Sequence, residues 1–356
     1  MKKEQEKPLI FELGQEELAA MLKEWGEPKY RVKQIWQGLY QNLWGKSEEF
    51  SNLPEKLRNK LAENFSFSHL LPVSVIDSKD GKTRKSLLQL PDGQAIEAVL
   101  MKYDKRRTLC ISTQAGCAMG CTFCATGQMG FGRNLSSGEI CEQVLYYARQ
   151  LKQEGEQVSN VVFMGMGEPF HNYDASMQAI DRLNDKDGLN LGARRFTVST
   201  VGLVAEIRRF AKEKRQVNLA VSLHAVDDEL RSSMLPINKK YPVQMLIDAC
   251  RDYVEQTSRR ITFEWALIQG VNDTPEQARK LAQLLDGLLC HVNIIPLNPT
   301  EGFAGEKSSK ERVKAFQDEL VNRGIPCTVR LRRGIEIQAG CGQLASLKTA
   351  EREKPG

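Results

Sequence analysis

Gly116-Cys117-Ala118-Met119-Gly120-Cys121-Thr122-Phe123-Cys124 decides how the rest of this chain is read. Cys117, Cys121 and Cys124 put three thiolates within eight residues, enough to grip one metal centre yet one ligand short of closing it. A [4Fe–4S] cubane ordinarily takes four cysteines. Three leave one iron open, as catalytic metal sites keep an open position. Zinc with a distant fourth ligand is the rival reading, although zinc sites usually show paired CxxC groups. Phe123, between the last two thiols, would shield such a centre from water and tune its potential.

The surrounding composition is that of a globular protein. The 356 residues are 41% hydrophobic and 27% charged, with a net charge of +5, which suggests two or three domain-sized units. No apolar run reaches membrane-spanning length, and the start, Met-Lys-Lys-Glu-Gln-Glu-Lys, lacks the apolar core of a signal peptide. A cytoplasmic location is therefore expected, where nine cysteines serve metal or catalytic roles better than a disulfide framework. Cys141, Cys250, Cys290 and Cys327 lie in apolar patterns and read as small buried hydrophobes. Basic clusters occur at Lys82/Arg84/Lys85, Lys102/Lys105/Arg106/Arg107, Lys212/Lys214/Arg215, Arg259/Arg260 and Arg330/Arg332/Arg333. Each taken singly reads as solvated surface.

Periodicity divides the chain. Residues 1–8 read as a tail. Apolar residues at helical spacing predict helices over Gln15–Glu24, Arg31–Trp44 and Pro54–Phe65, a small helical domain over 1–70. Alternation then predicts strands at Val73–Ile76, Ser86–Leu90 and Ala95–Tyr103, joined by Lys79-Asp80-Gly81 and Pro91-Asp92-Gly93, a hairpin linker over 71–107. Over 108–345 strands and helices alternate. The strands are Leu109–Thr113, Asn160–Met164, Phe196–Thr200, Asn218–Leu223, Ile261–Ile268, Val292–Leu297 and Thr328–Leu331. The helices are Ser136–Lys152, Tyr173–Leu183, Val204–Lys212, Val243–Gln256, Pro275–Leu285 and Ser308–Arg323. Such alternation means parallel strands with crossover helices, an α/β fold. The count is short of a full eight-fold barrel, leaving a partial barrel or an open sheet. Either carries its chemistry at the C-terminal strand ends. A short tail, 346–356, follows.

Polar residues collect at those ends. Met164-Gly165-Met166-Gly167-Glu168-Pro169 follows the second strand, where glycine lets a ligand approach the backbone and Glu168 suits an ammonium group. Ser199, Ser222-Leu223-His224 and Asn298 end three more strands. Cys341 stands between Gly340 and Gly342, a setting for a mobile, reactive thiol. Cys110 lies on the first parallel strand, where a buried structural thiol is the usual reading. Glu97 interrupts the apolar run Ala95-Ile96-Glu97-Ala98-Val99-Leu100, either on an exposed hairpin face or beside a site.

Together with Gly130-Phe131-Gly132-Arg133-Asn134-Leu135, Gly165-Met166-Gly167-Glu168-Pro169, Ser222-Leu223-His224, Leu235-Pro236-Ile237-Asn238-Lys239-Lys240-Tyr241, Ile295-Pro296-Leu297-Asn298-Pro299 and Ala339-Gly340-Cys341-Gly342-Gln343-Leu344, the cysteine stretch resembles the RlmN/Cfr family of radical S-adenosylmethionine (radical SAM) RNA adenine methyltransferases. The resemblance runs from about Leu13 to Leu344. It implies a partial (β/α)6 barrel behind an RNA-binding helical domain. Cys117, Cys121 and Cys124 would hold a [4Fe–4S] cluster whose open iron takes the amine and carboxylate of SAM. Gly167, Glu168, Ser199, Ser222, Leu223, His224 and Asn298 match the family's SAM contacts. Cys341 would carry a methyl group as S-methylcysteine, a second SAM would supply the radical, Cys110 would resolve the RNA adduct through a disulfide, and Glu97 would accept the proton from the adenine carbon. The implied substrates are 23S rRNA and the adenosine beside the anticodon in tRNA, methylated at C2. Methylation at C8 of the same rRNA adenosine, and a non-catalytic Fe–S nucleic-acid-binding protein, are the alternatives. A reducing donor such as flavodoxin or ferredoxin and a monomeric state are also expected.

Overall fold

The structure is a computed structural model that describes residues 7–345. The expected tail 346–356, and all but the last two residues of the expected tail 1–8, lie outside the described residues.

In chain order the elements are α1 (Gln15–Glu24), α2 (Tyr30–Tyr40), α3 (Glu55–Asn64), β1 (Leu71–Asp77), β2 (Thr83–Gln89), β3 (Ala95–Tyr103), β4 (Arg106–Cys110), β5 (Gln114–Gly116), α4 (Ala125–Gln128), β6 (Phe131–Asn134), α5 (Ser137–Gln153), β7 (Asn160–Phe163), α6 (Tyr173–Asn184), β8 (Phe196–Thr200), α7 (Val204–Glu213), β9 (Asn218–Ser222), α8 (Asp228–Met234), α9 (Val243–Thr257), β10 (Ile261–Leu267), α10 (Pro275–Leu284), β11 (Cys290–Pro296), α11 (Lys310–Asn322) and β12 (Cys327–Val329). Ten of the strands form one sheet in the order β1-β2-β3-β4-β7-β8-β9-β10-β11-β12. From β4 to β12 every pairing is parallel and each strand lies beside its successor, the singly wound order of a barrel. Helices α5, α6, α7, α9, α10 and α11 make the crossovers, giving six β/α units closed off by the three-residue β12.

The stretch expected as a linker is built into that sheet. β3 pairs antiparallel with β4 in the register Val99↔Cys110, and β2 and β1 add outward from it. The first parallel strand also begins earlier than expected, at Arg106, because its polar start is held by pairing with β3 and carries no apolar signal. Ser112 and Thr113 therefore fall in the turn beyond it. Helix α2 stops at Tyr40, four residues short of its expected end, and Leu43 turns at φ 63°.

Helix α5 shows why these residues form these elements. Ser136 accepts from Glu139 N, and Glu139 returns a bond to the Ser136 N–H, satisfying two orphan donors of the first turn. Its apolar positions face the sheet, Tyr147 donating to Ala98 O at 2.8 Å and bonding Ser86 at 2.9 Å. The N-terminal segment is clamped to the same helix. Glu12 bonds Ser136 Oγ and accepts from Gly138 N at 3.2 Å, and Arg182 donates to Phe11 O (2.8 Å) and Glu12 O (2.6 Å). Buried Glu142 accepts from His69 N and Leu70 N where the helical region meets β1. One continuous core thus runs from Leu9 to Leu344.

A carboxylate beside three N-terminal groups of a helix is a cap, and losing one costs about 1–2 kcal/mol. Glu12→Ala is expected to lower the melting temperature by a few degrees in thermal denaturation while leaving the circular dichroism of the native state unchanged.

Candidate active site

The cysteine loop is a hairpin tip. β5 and β6 pair across it, Gln114↔Asn134 and Gly116↔Phe131, and Cys117 N donates to Gly130 O at 2.8 Å. Gly116 stands at φ +77°, and a Cβ there would lie 2.1 Å from Gly130 O, so the pinch demands glycine. Thr122 N donates to Met234 O, and α4 leaves directly after Cys124. The sequence motif Gly130–Leu135 is thus the returning strand of this hairpin.

The three cysteines line one cavity of about 150 Å³ with Gly167, Glu168, Ser199, Ser222, His224, Asn298 and Cys341. Glu168, on the loop after β7, is buried. Its two oxygens accept from Phe170 N (2.9 Å) and Val201 N (2.8 Å), and burial pushes its carboxyl up to about 7 despite those bonds. Gly167 at φ +100° lets the chain pass against Gln114, where a Cβ would meet side chain and backbone within 2.7 Å. The Leu223 side chain lies in the core, and its N–H donates to Glu264 O. His224 is held at φ 62°, an uncommon conformation that marks strained functional positions. Its Nδ1 accepts from Ala266 N at 2.9 Å, and burial, then the charge of Arg231, lowers it to about 3, so it is neutral. Phe123 packs edge-on against its ring at 5.0 Å.

Cys341 arrives on the segment that follows β12. Ala125 N, next to Cys124, donates to Gly342 O at 2.8 Å; Thr126 Oγ1 donates to Leu344 O; Asn298 Nδ2 donates to Cys341 O at 3.0 Å. Cys341 also lines a second, smaller cavity of about 40 Å³ with Cys110, Met164 and Arg330. It is the residue these two cavities share from the three expected catalytic positions. Burial first, and the neighbouring Cys341 thiol second, push Cys110 up to about 12, against the pull of Arg330. Glu97 lines neither cavity. It is buried on β3, paired with Lys85 Nζ at 3.0 Å, and accepts from Ala345 N at 2.9 Å.

Two functional side chains escaped the sequence reading. Lys85, taken as solvated surface, is buried with Glu97 and also donates to Gln338 O at 3.3 Å. Arg231 on α8 is fully buried and donates to Val201 O (2.7 Å), Ser222 O (3.0 Å) and Leu223 O (3.0 Å), with Asn238 Oδ1 at 2.9 Å. It pins the ends of β8 and β9, the strands that carry Ser199 and Ser222. Burial lowers its guanidinium to about 10. Its signal was local: an arginine at the inner face of a short helix just ahead of Leu235-Pro236-Ile237-Asn238.

The donor set fits an iron–sulfur cubane. Burial pushes Cys117 up to about 12 and Cys121 well above its usual value, so these thiols ionise only beside a cationic centre. Three soft thiols of one loop line a single cavity, and a cubane takes such ligands at separate irons. No helix among the described residues is long and apolar enough to cross a membrane.

These features define a radical SAM protein. Residues 111–285 match the model of the radical SAM superfamily, and residues 10–66 match that of the ribosomal RNA large subunit methyltransferase N-terminal domain. A probable dual-specificity RNA methyltransferase RlmN of Chloroflexus aurantiacus is 50% identical over 98% of this chain and 97% of its own. The dual-specificity RNA methyltransferase RlmN 1 of Myxococcus xanthus is 50% identical over 96% and 95%. The crystal structure of a radical SAM methyltransferase from Sphaerobacter thermophilus superposes with a TM-score of 0.93, at 50% identity over 95% of this chain and 99% of that one. The chain belongs to the RlmN family, a branch of the radical SAM superfamily.

Removing the buried guanidinium leaves three carbonyl oxygens without their donor. Arg231→Met is expected to cost about 3–5 kcal/mol in denaturant unfolding and to weaken SAM binding in equilibrium dialysis, since the rim loops lose their common anchor.

Proposed function

We propose that this protein methylates C2 of an adenosine in 23S rRNA, and of the adenosine beside the anticodon in tRNA, through a methyl group carried on Cys341. The observation that carries this reading is the position of Cys341, which lines both the cavity of the three cluster cysteines and the small cavity of Cys110. The names of the relatives, dual-specificity RNA methyltransferases, supply the substrate class.

The chemistry explains the need for two further thiols. An adenine C2 carbon is not nucleophilic, so direct polar methyl transfer fails. When bound, the cluster and SAM supply a 5′-deoxyadenosyl radical. Everything else falls to side chains of this chain. The neutral His224, the Glu168 carboxyl and the polar strand ends orient the methyl donor. The Cys341 sulfur accepts a methyl group, holds it against the cluster loop, and presents it to the base. Once that carbon is joined to adenine, Cys110 gives up its proton and its sulfur attacks the Cys341 sulfur; an S–S bond forms as the C–S bond breaks, and the electron pair left on the carbon takes up a proton to complete the methyl group. Glu97 takes the proton from the ring carbon. Lys85 is the ion-pair partner of that buried carboxylate.

Cys341→Ala is expected to abolish turnover, with no methyl group found on the protein by mass spectrometry. Cys110→Ala is expected to accumulate a covalent RNA–protein adduct visible on denaturing gels; full turnover with free 2-methyladenosine RNA from that variant would refute the resolving role. Lys85→Met strips the counter-charge from Glu97. Methyl loading of Cys341 should persist while RNA turnover at neutral pH falls by roughly 10²-fold. Lys85→Arg should restore most of it, and Lys85→Met turning over RNA at the wild-type rate would remove Lys85 from this role.

A further inference from the structure

The three arginines just past β12 were expected as solvated surface, and the structure gives each a different partner. Arg330 Nη1 reaches Met164 Sδ at 3.5 Å and comes within 4.0 Å of Glu264, while Arg333 lies over the Tyr103 ring at 4.5 Å. Arg332 instead donates from Nε to Asn298 Oδ1 at 3.0 Å. Asn298, on the loop after β11, donates in turn from Nδ2 to Cys341 O at 3.0 Å. One amide therefore joins a guanidinium to the backbone of the thiol-bearing residue.

These two bonds leave the amide a single orientation. Asn298 is buried, where polar atoms need partners. Its carbonyl end only accepts and its NH2 end only donates. With a guanidinium on the oxygen, the NH2 end is left for Cys341 O. Turned over, the amide would set donor against donor at Arg332 and acceptor against acceptor at Cys341. Guanidinium stays charged at any working pH and has no lone pair to offer, so it admits only the first arrangement. A bond from an ionised donor is also stronger than one between neutral groups. One acceptor position and one N–H of Asn298 remain for a molecule in the cavity it lines with the cluster cysteines.

The turn around Cys341 is built for this contact. A Cβ at residue 340 would stand 2.8 Å from Asn298 Nδ2, so only glycine there lets the amide close on the turn without a shift. Gln343 spans Gly340 N (3.1 Å) and Pro299 O (3.0 Å), and Ala125 N holds Gly342 O at 2.8 Å. These bonds fix the flanks of the turn. The carbonyl of Cys341 itself is held by Asn298.

We propose that Arg332 is a positioning residue for methyl loading: through the Asn298 amide it fixes the Cys341 backbone, and with it the sulfur, at the cavity that takes the methyl donor. This rests on the reading of Cys341 as the methyl carrier. In the step it serves, the Cys341 sulfur gives its proton to water and bonds to the methyl carbon of SAM. The bond from that carbon to the sulfonium breaks, and its electron pair stays on the departing thioether. Such a displacement is sensitive to the alignment of the attacking atom, which is what the relay supplies.

Arg332 is exposed, so its substitution leaves the core untouched. In the reconstituted holoenzyme without RNA, Arg332→Leu is expected to slow methyl loading of Cys341 at saturating SAM by roughly tenfold, the scale of one charge-assisted hydrogen bond. SAM affinity in equilibrium dialysis should stay near wild type, which separates alignment from binding. Hydrogen exchange of the peptide spanning 339–345 should become faster in the same variant. Arg332→Lys keeps a charged donor and should restore both loading and exchange. In an Asn298→Ala background Arg332→Leu should change neither any further, because the guanidinium acts only through that amide. Additive effects at the two positions, or wild-type loading and exchange in Arg332→Leu, would overturn the relay. So would a loss of SAM affinity that Arg332→Lys does not restore. If wild type loads no methyl on Cys341, the carrier reading above fails, and the exchange rates of the same four proteins still decide the relay.

Discussion

A buried ammonium and a buried carboxylate, Lys85 and Glu97, fasten the end of the described chain to the beginning of its sheet. Lys85 lies on β2 and Glu97 on β3, diagonal neighbours on one face, since Lys85 pairs with Val99 in the register. Both are almost inaccessible to water, so each alone would carry a large desolvation cost. Together they hold Gln338 O and Ala345 N, and between those two contacts sits Cys341. The Lys79 N–H on Glu336 adds a third fastening to the same strands. The antiparallel extension β1–β3 is therefore the surface on which the thiol-bearing segment docks, and the parallel strands supply the other wall.

Burial sets the protonation of the groups around that dock. His224 is neutral, Cys110 resists ionisation, and Glu168 sits at the edge of protonation. Each shift has burial as its largest cause. A site shielded from water suits radical chemistry. Arg231 is turned outward from the cavity into backbone carbonyls, where it acts as a structural bolt between two strand ends.

Much of this was legible in the sequence because the signals were local and periodic. The crossover helices and seven parallel strands follow apolar patterns, and the cysteine spacing declares its chemistry within eight residues. The cysteine hairpin was not legible: β5 and β6 are three and four residues long, contain Gly116 and Gly132, and show no alternation. Lys85 was not legible either, because its neighbours Lys82 and Arg84 do sit at a wet edge, Arg84 pairing with Asp77, and charge clustering carries no depth. The same blindness hid Arg231, whose role lies in three acceptors from two other strands. Glu97 was recognisable as an oddity in an apolar run, yet only the fold shows that its partner comes from the adjacent strand.

Unmatched cations gather at the base of the barrel. A chain of net charge +5 has cations to place, and several of its other arginines are matched: Arg107 with Glu156, Arg133 with Glu139, Arg209 with Asp174, Arg215 with Asp181. Matched pairs on a surface add little to stability and little to any long-range field. The unmatched ones at the strand starts are different, because a concave, protein-walled mouth focuses their field. The barrel thus keeps its unmatched guanidinium groups at the strand starts and its cysteine-lined cavity at the strand ends. Met164 and Arg330 stand at the boundary between them, the one apolar and pliant, the other charged and already leaning on Glu264.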